Sequence, residues 1–320
     1  MGNIFARYKR PKIKHGTLMF EDPMAKPIFV IGKHRSGTKW LSNTIAAHKD
    51  IACILHEHHF GILEVSDVFE RMPLIYGDLS IAENCIGFIE YYGQTDFFVL
   101  TGLDKNMFYK NRPSNYSEFF RQMMDTFAEK EGKPYWVQKT DTAPMPDLIK
   151  HFPDAKFIMT IRDVRDNVKS AIGLAKGEKG RATPKVYNEL FIYYLQKKRI
   201  LSYQGRDNVM LMYFEDMKRD KRAVVERICN FLQIEFDENM LKNHFKQNTS
   251  YKGMVSKADA LSDKDVFLMN LMIPLLSITP LWLMEFLYKI KTRLLGHSFL
   301  KPENRILHSF KLKKRDLGWE

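Results

Sequence analysis

The chain has 320 residues, 50 Lys and Arg against 38 Asp and Glu, a net charge of +12, 45% hydrophobic residues and 3 cysteines. That length and apolar content fit one large α/β domain with an appendage and exclude a disordered or collagen-like chain. The widely spaced Cys53, Cys85 and Cys229 exclude a disulfide framework or zinc knuckle and favour a reducing, cytoplasmic compartment, while the charge favours anionic partners.

Residues 1–26 read as a basic arm, with Arg7–Lys14 solvated or facing lipid. No secretory leader is expected there, and Ala6 stands where an N-myristoylation signal prefers Ser or Thr. The apolar run Ile28–Ile31 predicts a buried strand that opens at Gly32 onto a basic loop, Lys33-His34-Arg35-Ser36-Gly37, before a helix over Thr38–His48. Strand, Gly-containing loop and helix start together aim backbone N–H groups at a phosphate. Gly32 and Gly37 have the spacing of GxxxxGK[ST], but Thr38-Lys39 reverses the order a Walker loop needs. A plain turn, with Gly37 supplying φ freedom and Thr38 capping the helix, is the alternative.

A strand over Ile51–Leu55 leads to His56-Glu57-His58-His59, where strand alternation places Glu57 and His59 on one face and His56 and His58 on the other. The cluster lacks a matching distal ligand, so no metal is expected, and hydrogen bonding at a strand end is the plain alternative. Phe60–Ser114 is aromatic without clear alternation and is expected to carry acceptor-binding elements. A helix over Tyr116–Glu131, a strand over Tyr135–Gln138 and a helix over Met145–His151 follow.

Lys156–Ile161 predicts a second buried strand, ending in Arg162-Asp163-Val164-Arg165-Asp166 and a helix over Arg165–Ala175. Arg162 thus sits at the carboxyl end of a strand, where open α/β sheets bind ligands. Ser170 lies about two helical turns further on. The pair can grip one phosphate from two sides; a salt-bridge cluster with Asp163 and Asp166 is the alternative. Gly173–Thr183 reads as a candidate flap or an ordinary exposed connection. A helix over Pro184–Tyr203, a strand over Val209–Tyr213, an acidic turn and a helix over Lys221–Leu232 complete the pattern. Alternating strands and helices predict an α/β fold with a P-loop-like parallel sheet flanked by helices on both faces.

Val266–Tyr288 is long and apolar enough to span a bilayer, but Asn270, Pro274, Pro280 and Glu285 interrupt it and basic Lys289, Lys291 and Arg293 follow. An interfacial helix pair is favoured over a core or dimer-interface helix and over a spanning helix. The expected division is a basic arm over 1–26, an α/β domain over 27–260 and a mainly helical apolar region over 261–320, peripheral on a membrane. No helix carries Arg or Lys at base-reading spacing and no RNA-binding aromatic signature occurs, so no nucleic-acid partner is expected.

Three motifs, in this order, resemble the sulfotransferase superfamily that uses 3′-phosphoadenosine 5′-phosphosulfate (PAPS). The family's 5′-phosphosulfate loop, roughly P-[KR]-S-G-T-T-W-L, is matched by His34-Arg35-Ser36-Gly37-Thr38-Lys39-Trp40-Leu41. Its 3′-phosphate motif, R-[ND]-P-[KR]-D-x-x-x-S, is matched from Arg162 to Ser170, and its Y-E-D-M-K segment by Phe214-Glu215-Asp216-Met217-Lys218. The resemblance covers Pro27 to Gly253. It implies transfer of a sulfuryl group to a hydroxyl or amine, without a metal. It assigns leaving-group stabilisation to Arg35, the 5′-phosphosulfate to Ser36, Gly37, Thr38 and Lys39, adenine stacking to Trp40 and the 3′-phosphate to Arg162, Ser170 and the late Lys252-Gly253 pair.

The catalytic histidine of the cytosolic branch's K-T-H is absent, since Lys139-Thr140-Asp141 stands there, so the resemblance points to the bacterial and Golgi-like R-S-G-T branch. The tyrosyl-protein branch has a catalytic Glu after A-H-P-D; here Ala47-His48-Lys49-Asp50 precedes Glu57. Glu57 is therefore the first candidate base, followed by His58, His59 and Asp141. The acceptor is expected to be a lipid, glycan or other small molecule, with a membrane surface and a homodimer as further partners. The competing readings are a P-loop nucleotide kinase or NTPase and a non-catalytic membrane-surface binding protein.

Overall fold

The structure, a computed structural model, describes residues 12–14, 17–19, 25–54, 65–70, 72–177, 183–242 and 261–294. The strands among them are β1 Lys12–Lys14, β2 Thr17–Met19, β3 Lys26–Ile31, β4 Ile51–Ala52, β5 Tyr135–Thr140, β6 Lys156–Ile161 and β7 Val209–Tyr213. β1 and β2 form a separate antiparallel pair, and the other 5 make one parallel sheet in the order β4-β5-β3-β6-β7. β3 lies at its centre, paired with β5 on one side and β6 on the other. Ile31 aligns with Thr140 and with Met159, so the carboxyl ends of these three strands share one edge. Such a point, where successive strands leave in opposite directions, is where open α/β sheets bind ligands.

The central strand is an unbroken apolar run because both faces are covered: Ile28, Phe29, Val30 and Ile31 are each 0% exposed. Side-chain alternation divides the core in two. Phe29, Ile31, Trp136, Phe157 and Met159 face one side, and Ile28, Val30, Val137 and Ile158 the other.

The helices among the described residues are α1 Thr38–Ala46, α2 Val65–Glu70, α3 Met72–Tyr76, α4 Ala82–Tyr92, α5 Asp96–Thr101, α6 Met107–Lys110, α7 Tyr116–Lys130, α8 Met145–His151, α9 Val164–Gly177, α10 Val186–Ser202, α11 Phe214–Arg219, α12 Lys221–Leu232, α13 Asp263–Ile278 and α14 Leu281–Leu294. α1 and α12 cover one face through Leu41, Ile45, Val224 and Ile228. α2 to α8 cover the other through Val65, Phe88, Phe119 and Leu148. The described part of Phe60–Ser114, where acceptor-binding elements are expected, forms short helices packed into the core. Phe88, Phe97 and Phe108 are buried, and Phe88 meets Phe119 edge to face at 4.7 Å. The expected flap over Gly173–Thr183 begins as helix, since α9 continues to Gly177, and residues 178–182 lie outside the described residues.

α13 opens with a capping box, Ser262 with Asp265, and contains Pro274. The chain then turns by 118° into α14, and no single described helix is long and apolar enough to cross a membrane. Met269 of α13 packs with Val168 and Ile172 of α9 and with Val186 and Leu190 of α10. Met284 of α14 packs with Tyr193, Tyr194 and Leu195.

Candidate functional site

The loop after β3 is tied down residue by residue. A Cβ on Gly32 would lie 2.7 Å from Thr160 Cγ2 and 2.8 Å from the Thr160 carbonyl, so only glycine fits where the loop leaves the sheet. Lys33 turns inward, buried, and its Nζ pairs with Glu189 of α10 at 2.7 Å. Burial lowers the pKa of this ammonium below the ordinary lysine value, with Glu189 opposing the effect. Asn167 Nδ2 donates to the His34 carbonyl at 3.2 Å and to Ser36 Oγ at 3.1 Å. Thr160 Oγ1 donates to the Ser36 carbonyl at 3.0 Å, and the Ser36 N–H closes the turn onto the Lys33 carbonyl at 3.0 Å.

Arg35 and Gly37 both adopt left-handed backbone, at φ 73 and φ 88. Gly37, not Thr38, is the N-cap of α1, and no side chain caps this helix, so the Thr38 cap of the alternative plain-turn reading is not formed. The first bond of α1 runs from the Leu41 N–H to the Gly37 carbonyl at 2.9 Å, so the N–H groups of the first turn have no acceptor within the helix. Their partial positive charge, added to the helix dipole, favours an anion at this point.

Arg162 closes the arrangement from β6. It is buried; one terminal nitrogen donates to the Arg35 carbonyl at 3.0 Å, and the other lies 3.5 Å from Asp166 Oδ2. Its guanidinium stacks 4.6 Å above the ring of Phe214. Arg35 Nε in turn donates to Ser170 Oγ at 2.9 Å, joining the loop to α9. Tyr193 OH donates to the Arg162 carbonyl, and the Asp163 N–H donates to Glu215 Oε1 at 3.0 Å. Both serines accept in these bonds, which leaves each hydroxyl hydrogen to be donated to a ligand oxygen. Among the described residues, the buried Arg162 Nε, Asn167 Oδ1, Thr140 Oγ1 and Thr142 Oγ1 make no hydrogen bond. A buried guanidinium N–H without an acceptor, beside a helix start, suits a phosphate-type anion.

The structure therefore brings Arg35, Ser36, Gly37, Thr38, Arg162 and Ser170 to one edge of the sheet. Lys39 lies half-buried on the first turn of α1, its carbonyl accepting from Ser42 Oγ at 3.1 Å. Trp40 is half-buried, edge to face with Phe214 at 5.6 Å. Asp141 directly follows β5, and its Oδ1 accepts from the Ala143 N–H at 2.8 Å, a turn-forming contact. Glu57, His58, His59, Lys252 and Gly253 lie outside the described residues.

Sequence reasoning missed Lys33, Asn167, Glu189, Tyr193 and the central part played by Phe214. Phe214 carried a signal, since it heads the acidic segment after β7. Glu189 and Tyr193, four residues apart on one helix face, carried only a periodicity shared with any amphipathic helix.

The family described as "Sulfotransferase family" matches residues 27–238, more than half of the chain. A Caenorhabditis briggsae protein described as a candidate protein-tyrosine sulfotransferase is 26% identical over 103 residues, 31% of this chain and 36% of its own length. The chain thus spans about a third of that relative. Among solved structures, the sulfotransferase domain of the Synechococcus PCC 7002 olefin synthase is similar at TM-score 0.47 and 18% identity, over 78% of this chain and 84% of that one. A sulfotransferase from Alicyclobacillus acidocaldarius gives TM-score 0.43 at 20% identity over 78% and 92%, and a mouse sulfotransferase crystallised with PAP gives 0.44 at 13% over 84% and 89%.

Proposed function

The chain belongs to the sulfotransferase family, and from that premise we propose that it transfers a sulfuryl group from PAPS to a hydroxyl or amine of a lipid, glycan or other acceptor. The observation that carries this reading is the joint of Arg35, Arg162 and Ser170, which unites a strand–loop–helix anion cradle with a second basic strand end 127 residues away along the chain. When bound, PAPS supplies the activated sulfuryl group and its own leaving group.

The residues divide the work by position. The first-turn N–H groups of α1, with Ser36, Thr38 and Lys39, hold the 5′ end. Arg35 offsets the negative charge that grows on the bridging oxygen during in-line displacement. Arg162 and the Ser170 hydroxyl take the 3′-phosphate, with Lys252-Gly253 as a further contact, and Trp40 offers a ring to adenine. The acceptor's proton goes to one of Glu57, His58, His59 and Asp141, in that order of preference. The buried Lys33–Glu189 pair positions the loop, because a lysine held inside by an ion pair cannot swing out to a phosphate.

Thermal unfolding with PAP, compared with ATP and magnesium, tests the reading. PAP at one hundred times its dissociation constant should add about 2.7 kcal/mol of stability, and ATP much less. A shift with ATP and magnesium alone would overturn PAPS as the donor. An acceptor screen with labelled PAPS against lipid extracts, glycans and a tyrosine peptide then identifies what is sulfated.

A further inference from the structure

The helix pair α13–α14 keeps one side for the protein and leaves the other bare. Met269 and Met284 anchor it on α9 and α10, while Phe267 is 71% exposed, Leu271 55%, Leu275 56%, Ile278 79%, Trp282 69% and Phe286 56%. These residues run along α13, around the 118° bend and onto α14, forming one continuous apolar face rather than scattered single residues. From Val266 to Tyr288 the only Asp, Glu, Lys or Arg is Glu285, and Arg199 of α10 holds it at 3.2 Å, on the protein side. The bare face therefore carries no charge along its length. Basic groups border it. Lys289 is exposed at one end, Lys264 is exposed at the other between Asp263 and Asp265, and Lys198 reaches the bend by donating to the Ser277 carbonyl at 2.7 Å.

We infer that this face is a lipid-docking surface, which lies in the headgroup–acyl boundary of an anionic membrane and does not cross it. Length separates docking from spanning. α13 has 16 residues and α14 has 14, about 24 and 21 Å at 1.5 Å per residue, short of a hydrocarbon core of about 30 Å. The bend prevents the two from adding end to end. An uncharged apolar stripe with large aromatic side chains, rimmed by lysines in a chain of net charge +12, matches the chemistry of an anionic interface. The pair also packs on α9 and α10, the helices that carry Ser170 and Glu189, so the docking surface and the anion site share two rigid elements. The inference rests on this surface alone and stands apart from the sulfuryl-transfer reading.

Vesicle flotation of the full chain tests it, using phosphatidylcholine vesicles with and without phosphatidylserine. The chain should float with the phosphatidylserine vesicles and be partly released by salt. The triple variant Phe267→Ser, Trp282→Ser, Phe286→Ser should lose about ten-fold or more of the bound fraction. These side chains are exposed, so its thermal unfolding transition should remain. Failure of the parent chain to float overturns the inference, as does undiminished binding by the variant. A parent dimer seen by light scattering, made monomeric by the same substitutions and unaffected by vesicles, also overturns it and assigns the face to a second copy of the chain. None of these readings requires PAPS.

Discussion

At Arg35 the backbone sits at φ 73 while the side chain reaches Ser170 at 2.9 Å. Left-handed backbone costs a non-glycine residue on the order of 1 kcal/mol, a strain that persists where a function needs the side chain. Arg35→Gly removes both the strain and the guanidinium. It should leave the chain within about 1 kcal/mol of the parent in chemical denaturation, yet lower kcat/KM for sulfate transfer about 10²- to 10³-fold, as loss of one transition-state donor does. Equal losses of stability and activity would mean that Arg35 serves only the fold. Asp125 of α7 presents a different residue-scale problem. Its Oδ1 accepts from Trp136 Nε1 at 2.6 Å, yet burial pushes the carboxyl up to about 7, against the pull of that bond and of Arg121. The folded value lies above the unfolded one of about 4, so folding favours the protonated form in between. That contribution is fully present below about pH 4 and is lost as pH rises to about 7. Denaturation midpoints should show this fall, and Asp125→Asn, which can still accept from Trp136, should flatten it.

At the scale of elements, the site is a junction of three strand ends and two helices locked by one ring. Phe214, the first residue of α11, lies under the Arg162 guanidinium, meets Trp40 edge-on and crowds Gly37, where an added Cβ would lie 2.3 Å from the ring. Gly37→Ala meets that clash and a φ of 88 together, so it should cost about 2 kcal/mol or more and abolish stabilisation by PAP, both measurable in one thermal-shift series. The elements also differ in how readable they were. β6, β7, α8 and α12 have the bounds that periodicity and turn residues predict. α2 to α6 escaped because they are short and bury rings against neighbours on several sides, so no single apolar stripe marks them. The strand–loop–helix turn over Gly32–Gly37 was legible because glycine spacing is a local constraint. Its clamps were not, since Glu189 and Tyr193 announce nothing about Lys33 or Arg162.

Across the whole molecule, the arginines of the strand-end site and the apolar face of α13–α14 lie on different elements. Arg35 and Arg162 gather at the carboxyl edge of the sheet, while the uncharged face of α13–α14 lies on helices packed behind that edge. By itself the sequence determined the α/β architecture, the glycine-spaced loop between β3 and α1, the placement of Arg162 at a strand end with Ser170 on the following helix, and the apolar character of Val266–Tyr288. All of these are written in spacings of a few residues, where strand and helix periods act directly. Only the tertiary structure decided that β3 is central and flanked by β5 and β6, that Lys33 is buried against Glu189, that Phe214 underlies Arg162, and that α13 and α14 turn one face outward. Each of those depends on which distant segments come to lie side by side, a choice made by competition for buried surface over the whole chain and carried by no local pattern.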